Sequence, residues 1–474
     1  MSGNLRDEKY SWRDRENLAE LAIFLIATCL MAATSADYSF TLPMYAAFVI
    51  ILFRNLYLYK KTRDFFFLFK CLFYSIVIPD NYIVSAVLFL CTVLSLAAYG
   101  GKKIRSSITK NDVYVFGALI IFFAINVLLS PKLFPNILFA IFYGSAFPLA
   151  YILFRLERRE IAKRFEDIVS FIKGIVFVEI ISTIVYFVFN FSMVISTIDN
   201  DWISGTFGVR HGNLLLFFMI FSILLLEKHY KKTKEKTDLA YIAVLVVLSI
   251  LTNSVALTIM FFIAFVLISI VRAKNVRVAV LSVLITVVAG LFFFFIASPK
   301  WIQTYLVRLS NPAYLKEGIP KIITYEDIFI EIPSYDKKFL LIGNGAGQLS
   351  SRAALLATGE YIPEIKKIME PSMSEYTEKY ILERYKKYNV DLLHGTMYSP
   401  YSSIISIFGE YGLVGLLAFV ILIFVMIRKS KKEAAIFIVF FFLSCFVENY
   451  VEFAKVVVPL FFLYFVDRKE KNEK

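Results

Sequence analysis

The sequence predicts an all-α, polytopic transmembrane bundle of about fourteen spans, and three observations predict it. Hydrophobic residues make up 59% of the 474 and the mean hydropathy is +0.69. A soluble domain is nearer half apolar and spreads those residues periodically. Here they form blocks long enough to cross hydrocarbon as helices at about 1.5 Å per residue. The basic residues, finally, cluster in the short connections between those blocks, as orientation in a membrane requires.

Spans are expected near 17–35, 40–58, 64–79, 82–100, 113–130, 135–154, 165–190, 213–227, 238–253, 255–271, 278–297, 401–427, 433–447 and 453–467. The 64–79 stretch is short and carries Lys70, so the charge pattern has to decide it. Lys60, Lys61 and Arg63 precede it, and Lys102, Lys103, Arg105 and Lys110 follow the next block. Both clusters are cytoplasmic only if two crossings separate them, so 64–79 is expected to span. Later clusters then fall on the same side: Arg155 to Arg164, Lys231 to Lys236, Arg272 to Arg277, Arg428 to Lys432, and the tail. The opposite connections 36–39, 80–81, 131–134 and 448–452 hold only one basic residue, Lys132. Both termini are therefore expected in the cytoplasm. No cleavable signal peptide is expected, because the first block follows an acid-containing leader and lacks a small-residue cleavage site.

The chain divides into residues 1–297 with eleven spans, an outer loop at 298–400, and residues 401–474 with three spans and the tail. Acids and bases at helical spacing (Glu364, Lys367, Glu375, Lys379, Glu383, Lys387) predict one or two exposed or interfacial helices within 360–390. No repeat or separate soluble domain is evident.

The net charge of +13 does not point to nucleic acid, because it lies between spans rather than on one face. Cys29, Cys71, Cys91 and Cys445 all lie in apolar segments and read as packing residues. No metal-ligand spacing or paired-carboxylate motif is found, and no cofactor is expected. Among the three histidines, His229 sits among cytoplasmic lysines and reads as a solvated residue. His211 and His394 fall outside the membrane, where either can serve as a general base.

Ser204-Gly-Thr-Phe-Gly-Val-Arg-His-Gly-Asn213 runs into a span, placing Arg210 and His211 at a helix head suited to an anion. Gly343-Asn-Gly-Ala-Gly347 lacks the P-loop lysine and reads as a tight turn positioning Arg352. Intramembrane charges are costly, which singles out Lys70, Lys173, Glu179 and Lys455. Lys173 is close enough to the cytoplasmic end to snorkel, whereas Glu179 is deeper and expected to pair with a lysine.

Four stretches together resemble the O-antigen polymerase and O-antigen ligase (Wzy-like) superfamily of bacterial surface-polysaccharide assembly. They are Ser204-Gly-Thr-Phe-Gly with Asn213, Leu251-Thr-Asn-Ser-Val-Ala-Leu257, Phe339-Leu-Leu-Ile-Gly-Asn-Gly-Ala-Gly347, and Ser403-Ile-Ile-Ser-Ile-Phe-Gly-Glu-Tyr-Gly-Leu-Val-Gly415. Val255 stands where members often have arginine, and Tyr401 falls at the usual histidine position, with His394 seven residues upstream. That departure suits the polymerases better than the ligases. The resemblance implies a GT-C-like enzyme of the bacterial inner membrane with its site on the outer face. It implies inverting, metal-independent transfer of a glycan from undecaprenyl pyrophosphate to a lipid-linked repeat unit of O-antigen or capsule.

The partners so implied are the undecaprenyl-pyrophosphate-linked oligosaccharide, the bilayer and a chain-length regulator protein. Arg210 and Arg352 would hold the pyrophosphate, since a guanidinium binds phosphate oxygens bidentately. His394, or otherwise Glu410, would take the acceptor proton. His211, Asn213, Tyr398, Tyr401 and Glu410 would shape the site, with Trp301 anchoring at the interface. A ligase acting on lipid A-core, or a flippase of lipid-linked oligosaccharides, is the alternative.

Overall fold

A computed structural model describes residues 4–34, 41–79, 81–99, 108–189, 203–207, 211–252, 254–273, 320–359, 366–367, 369–384 and 402–468, with isolated positions 277, 280 and 284. Among these the chain is helical, and its one bridge of extended backbone pairs Ser430 with Arg468. Seven helices are long and apolar enough to cross a membrane. They are Leu42–Thr62, Asn81–Ala98, Asp112–Leu129, Phe134–Leu156, Phe165–Phe189, Gly212–Thr233 and Ser403–Lys429. The chain is thus a helical membrane protein. Asn17–Ala33, Phe65–Ile76, Val255–Val271 and Ala454–Val466 are shorter apolar helices. The expected span 278–297 lies outside the described residues, the isolated positions excepted.

Two compact units are present, residues 1–99 with 156–259 and residues 100–155 with 260–474. In the first, Phe65–Ile76 is buried along its whole length. Its twelve residues reach about 18 Å, short of the roughly 30 Å hydrocarbon core. It is therefore not among the helices long enough to cross, and it is surrounded by protein. Asp64 starts this helix by accepting the Phe66 amide at 3.1 Å. The intramembrane Lys70 is 1% exposed and is neutralised locally. It pairs with Glu20, which also takes Arg54, and its ammonium donates to Asn17 at 2.9 Å.

One expectation is corrected in this unit. His229 is buried, with Nδ1 2.7 Å from Asp238 and Nε2 2.6 Å from Glu166. Acids from two other helices converge on it, so it joins helices instead of facing solvent. Lys173 pairs with Asp238 at 2.6 Å and Glu235 at 2.9 Å. Counting basic residues near a helix end gives no view of acids brought in by other helices.

The second unit holds a folded cap in the 298–400 region. Pro320–Glu326 passes through a π turn, Asp327–Glu331, into Ile332–Tyr335, and Lys337–Ile342 follows. Glu375–Thr377 continues into a second π turn, Glu378–Leu382. Glu375, Lys379 and Glu383 are exposed as the spacing predicts. The opposite face is not: Tyr380, Ile381 and Leu382 pack with Ile328, Ile332, Phe339, Leu349, Leu355, Ile405 and Phe408 into one apolar cluster. Burial of this kind contributes roughly 1.5–3 kcal/mol per large side chain, enough to fix the cap on the membrane helix that carries Ile405 and Phe408.

Candidate functional site

The cap meets the membrane helix through a backbone-to-backbone contact that only glycine permits. Ser403–Lys429 is broken at Gly412 (φ 66°, ψ −165°). A Cβ there would lie 2.3 Å from the Leu341 carbonyl carbon, and one on Gly343 (φ 76°) would lie 2.3 Å from that of Glu410. The break leaves the carbonyls of Gly409 and Glu410 available outside the helix ladder. Asn344 N donates to the first at 2.8 Å and Gly345 N to the second at 3.1 Å.

From this contact the loop 345–351 wraps the Glu410 side chain. Glu410 Oε2 accepts Gly347 N at 2.8 Å, and Oε1 accepts Leu349 N at 3.3 Å and Ser351 N at 3.2 Å. Asn126, buried in the Lys110–Leu129 helix, completes the clasp. Its amide donates to the carbonyls of Ile342 (2.8 Å) and Glu410 (2.9 Å), and its oxygen accepts Ala346 N at 2.9 Å. Asn136 donates to the Gly347 carbonyl at 2.6 Å, and Gln348 to that of Pro131 at 2.7 Å. Three helices of this unit therefore hold one loop, chiefly through its backbone and the Gln348 amide, with the Ser350 hydroxyl 3.3 Å from that of Ser406.

The loop ends by presenting Arg352. Ser351 caps the helix Arg352–Ala357, its hydroxyl accepting Ala354 N at 3.1 Å. Arg352 N donates to Glu452 Oε2 at 2.8 Å, and its guanidinium carbon stands 3.6 Å from the centre of the Phe453 ring. Glu452 is buried, and Asn449 donates to the same oxygen. Ser403 donates to the Asn449 oxygen at 3.2 Å and accepts Val451 N at 3.1 Å, tying this turn to the cap's membrane helix. Burial pushes the Glu452 carboxyl up to about 8, with the Glu410 charge adding to the rise and Arg352 opposing it. Nearby, Lys321 is buried, donates to the Val447 carbonyl, and is lowered by that burial to about 8 despite Glu448.

The first unit gathers the other sequence-marked segments. Gly205 (φ 56°) leaves room for Glu179, whose oxygens accept the Thr206 hydroxyl and, at 3.2 Å, the Thr206 amide. His211 stands at the N-cap of Gly212–Thr233, and its amide donates to Ser204 Oγ at 2.9 Å. Asn213 accepts the Ser254 hydroxyl at 2.7 Å. A Cβ on Gly212 would lie 2.9 Å from the Thr252 carbonyl oxygen, so these two segments touch by backbone.

Each unit thus joins two of the four stretches that carry the family resemblance. Arg352 and Glu410 lie around one loop in the second unit; His211 and Asn213 lie together in the first. Arg210, His394, Tyr398, Tyr401 and Trp301 are outside the described residues, as are Glu364 and Lys387. The sequence reading missed Glu452, Asn449, Asn126 and Asn136. Amides in apolar helices and acids in a short connection are the signal, and attention to net charge alone passes over them.

No metal is needed to explain the one ligand-rich group among the described residues. The side chains of His229, Glu235 and Asp238 bring ligand atoms within 4.8 Å of one another. The Lys173 ammonium already bridges its two acids. In comparisons with known proteins, no family model and no curated protein matches the chain.

Proposed function

We propose that the chain is a polysaccharide polymerase of the bacterial inner membrane, a GT-C-like glycosyltransferase with about fourteen spans and both termini cytoplasmic. It transfers a glycan from undecaprenyl pyrophosphate to a hydroxyl of another lipid-linked O-antigen or capsule repeat unit. The observation that carries this reading is Arg352. A glycine loop fastened to three helices, in the region that the charge pattern places outside, ends on an arginine whose backbone is held by a buried acid.

The chemistry asks for such a group. The acceptor oxygen attacks the anomeric carbon with inversion, the bond from that carbon to the pyrophosphate oxygen breaks, and the lipid pyrophosphate leaves with the electron pair. A preorganised guanidinium stabilises the charge that develops there and can stand in for a divalent ion. Arg210 is the second phosphate ligand in this reading. His394 takes the acceptor proton. Glu410, whose two oxygens each accept loop amides, supports the site by holding the loop in shape. Tyr401 at the position of the usual histidine favours polymerase over ligase.

Purified protein mixed with an undecaprenyl-pyrophosphate repeat unit, in EDTA and without nucleotide, should give a ladder of longer glycans on a gel. Arg210→Ala, Arg352→Ala and His394→Ala should each remove most of it. Full turnover in all three variants, or no ladder from a competent donor, would sink the assignment.

A further inference from the structure

We infer that Glu452 is a positioning residue for Arg352, seating its guanidinium for the donor's pyrophosphate; this rests on the glycosyl-transfer reading above. Two observations converge on it. The Glu452 carboxylate accepts the Arg352 amide at 2.8 Å and also the Asn449 amide, so it fixes the first residue of the Arg352–Ala357 helix to the turn between the last two helices. The next residue, Phe453, lies beneath the guanidinium with its ring centre 3.6 Å from Arg352 Cζ. Residues 452 and 453 therefore grip Arg352 at two points, backbone and side chain.

The geometry also states what is presented. Arg352 Cζ stands 3.6 Å from the Phe453 ring centre, which holds the side-chain end of the grip. The N–H donors of a guanidinium lie in its plane, so two of them can meet two oxygens of one phosphate. Loss of Glu452 loosens the backbone end of the grip and loss of Phe453 the side-chain end. In both cases the donor should be handled worse, without new chemistry at the acceptor.

The test compares kcat and KM for the lipid-linked donor in wild type, Glu452→Ala, Glu452→Gln, Phe453→Leu, Arg352→Ala and the Arg352→Ala/Glu452→Ala double variant. Glu452→Ala should lower kcat/KM about tenfold or more, while Glu452→Gln, which keeps an acceptor for the amide, recovers most of it. Phe453→Leu should raise the donor KM. The double variant should be no slower than Arg352→Ala alone, because the carboxylate acts through the arginine. Multiplicative losses in the double variant, or wild-type kinetics in Glu452→Ala, overturn the inference.

A second readout needs no turnover. Phenylglyoxal modification of Arg352, followed by mass spectrometry on the intact purified protein, should be severalfold faster in Glu452→Ala and Phe453→Leu than in wild type or Glu452→Gln. Equal rates in all four overturn the positioning role. Those rates differing as expected in a protein that makes no glycan would instead overturn the glycosyl-transfer reading and leave the grip on Arg352 standing.

Discussion

Gly343 and Glu452 carry the two most exacting local demands of the candidate site. Gly343 has φ 76° and no room for a Cβ, which would fall 2.3 Å from the Glu410 carbonyl carbon. Gly343→Ala adds backbone strain of about 1–3 kcal/mol before the clash is counted, so a lower Tm and a loss of turnover are expected. A Tm equal to wild type would mean that loop and helix are not in contact. Glu452, raised to about 8, keeps a proton in the folded state that an unfolded chain releases near its ordinary value. Its stabilising share is therefore complete at low pH and is lost as pH rises toward 8. Tm measured from pH 5 to 8 should fall more steeply in wild type than in Glu452→Gln; parallel curves contradict a buried, protonated acid.

Among the elements, the helix Phe65–Ile76 illustrates how a charge is kept inside an apolar bundle. Lys70 is buried against Glu20, and Arg54 shares the acid from the Leu42–Thr62 helix. Removing the acid strands the lysine. Glu20→Ala should cost about 3–5 kcal/mol, and adding Lys70→Met should restore part of the Tm. A double variant less stable than Glu20→Ala would contradict the pairing. Most helices were legible in the sequence, since apolar blocks and basic punctuation set their positions; the expected span 165–190 is Phe165–Phe189. The partners of buried charges were not, because periodicity says nothing about which helix comes next in space. His229 is the clear case, an apparent surface residue that two acids enclose.

For the whole molecule, the candidate site was legible in its chain segments and illegible in its fastening. Glycine spacing marked the turn at 343–347, and Arg352 was visible beyond it. The clasp, however, uses Asn126 and Asn136 from helices some two hundred residues earlier and Glu452 a hundred later. Local pattern carries no trace of such pairings; they follow from tertiary packing. The consequence is that the cap and the helices of this unit are fastened together at the loop that leads to Arg352.

Release of free undecaprenyl pyrophosphate from a glycan-loaded donor, by wild type and by Arg352→Ala at equal folded protein, tests this most directly. One pyrophosphate lipid should be released per glycosidic bond formed, and the variant should be slower by about a hundredfold or more, the usual effect of removing a charge-stabilising donor. Release at the wild-type rate by Arg352→Ala, or glycan extension without release, would contradict the account.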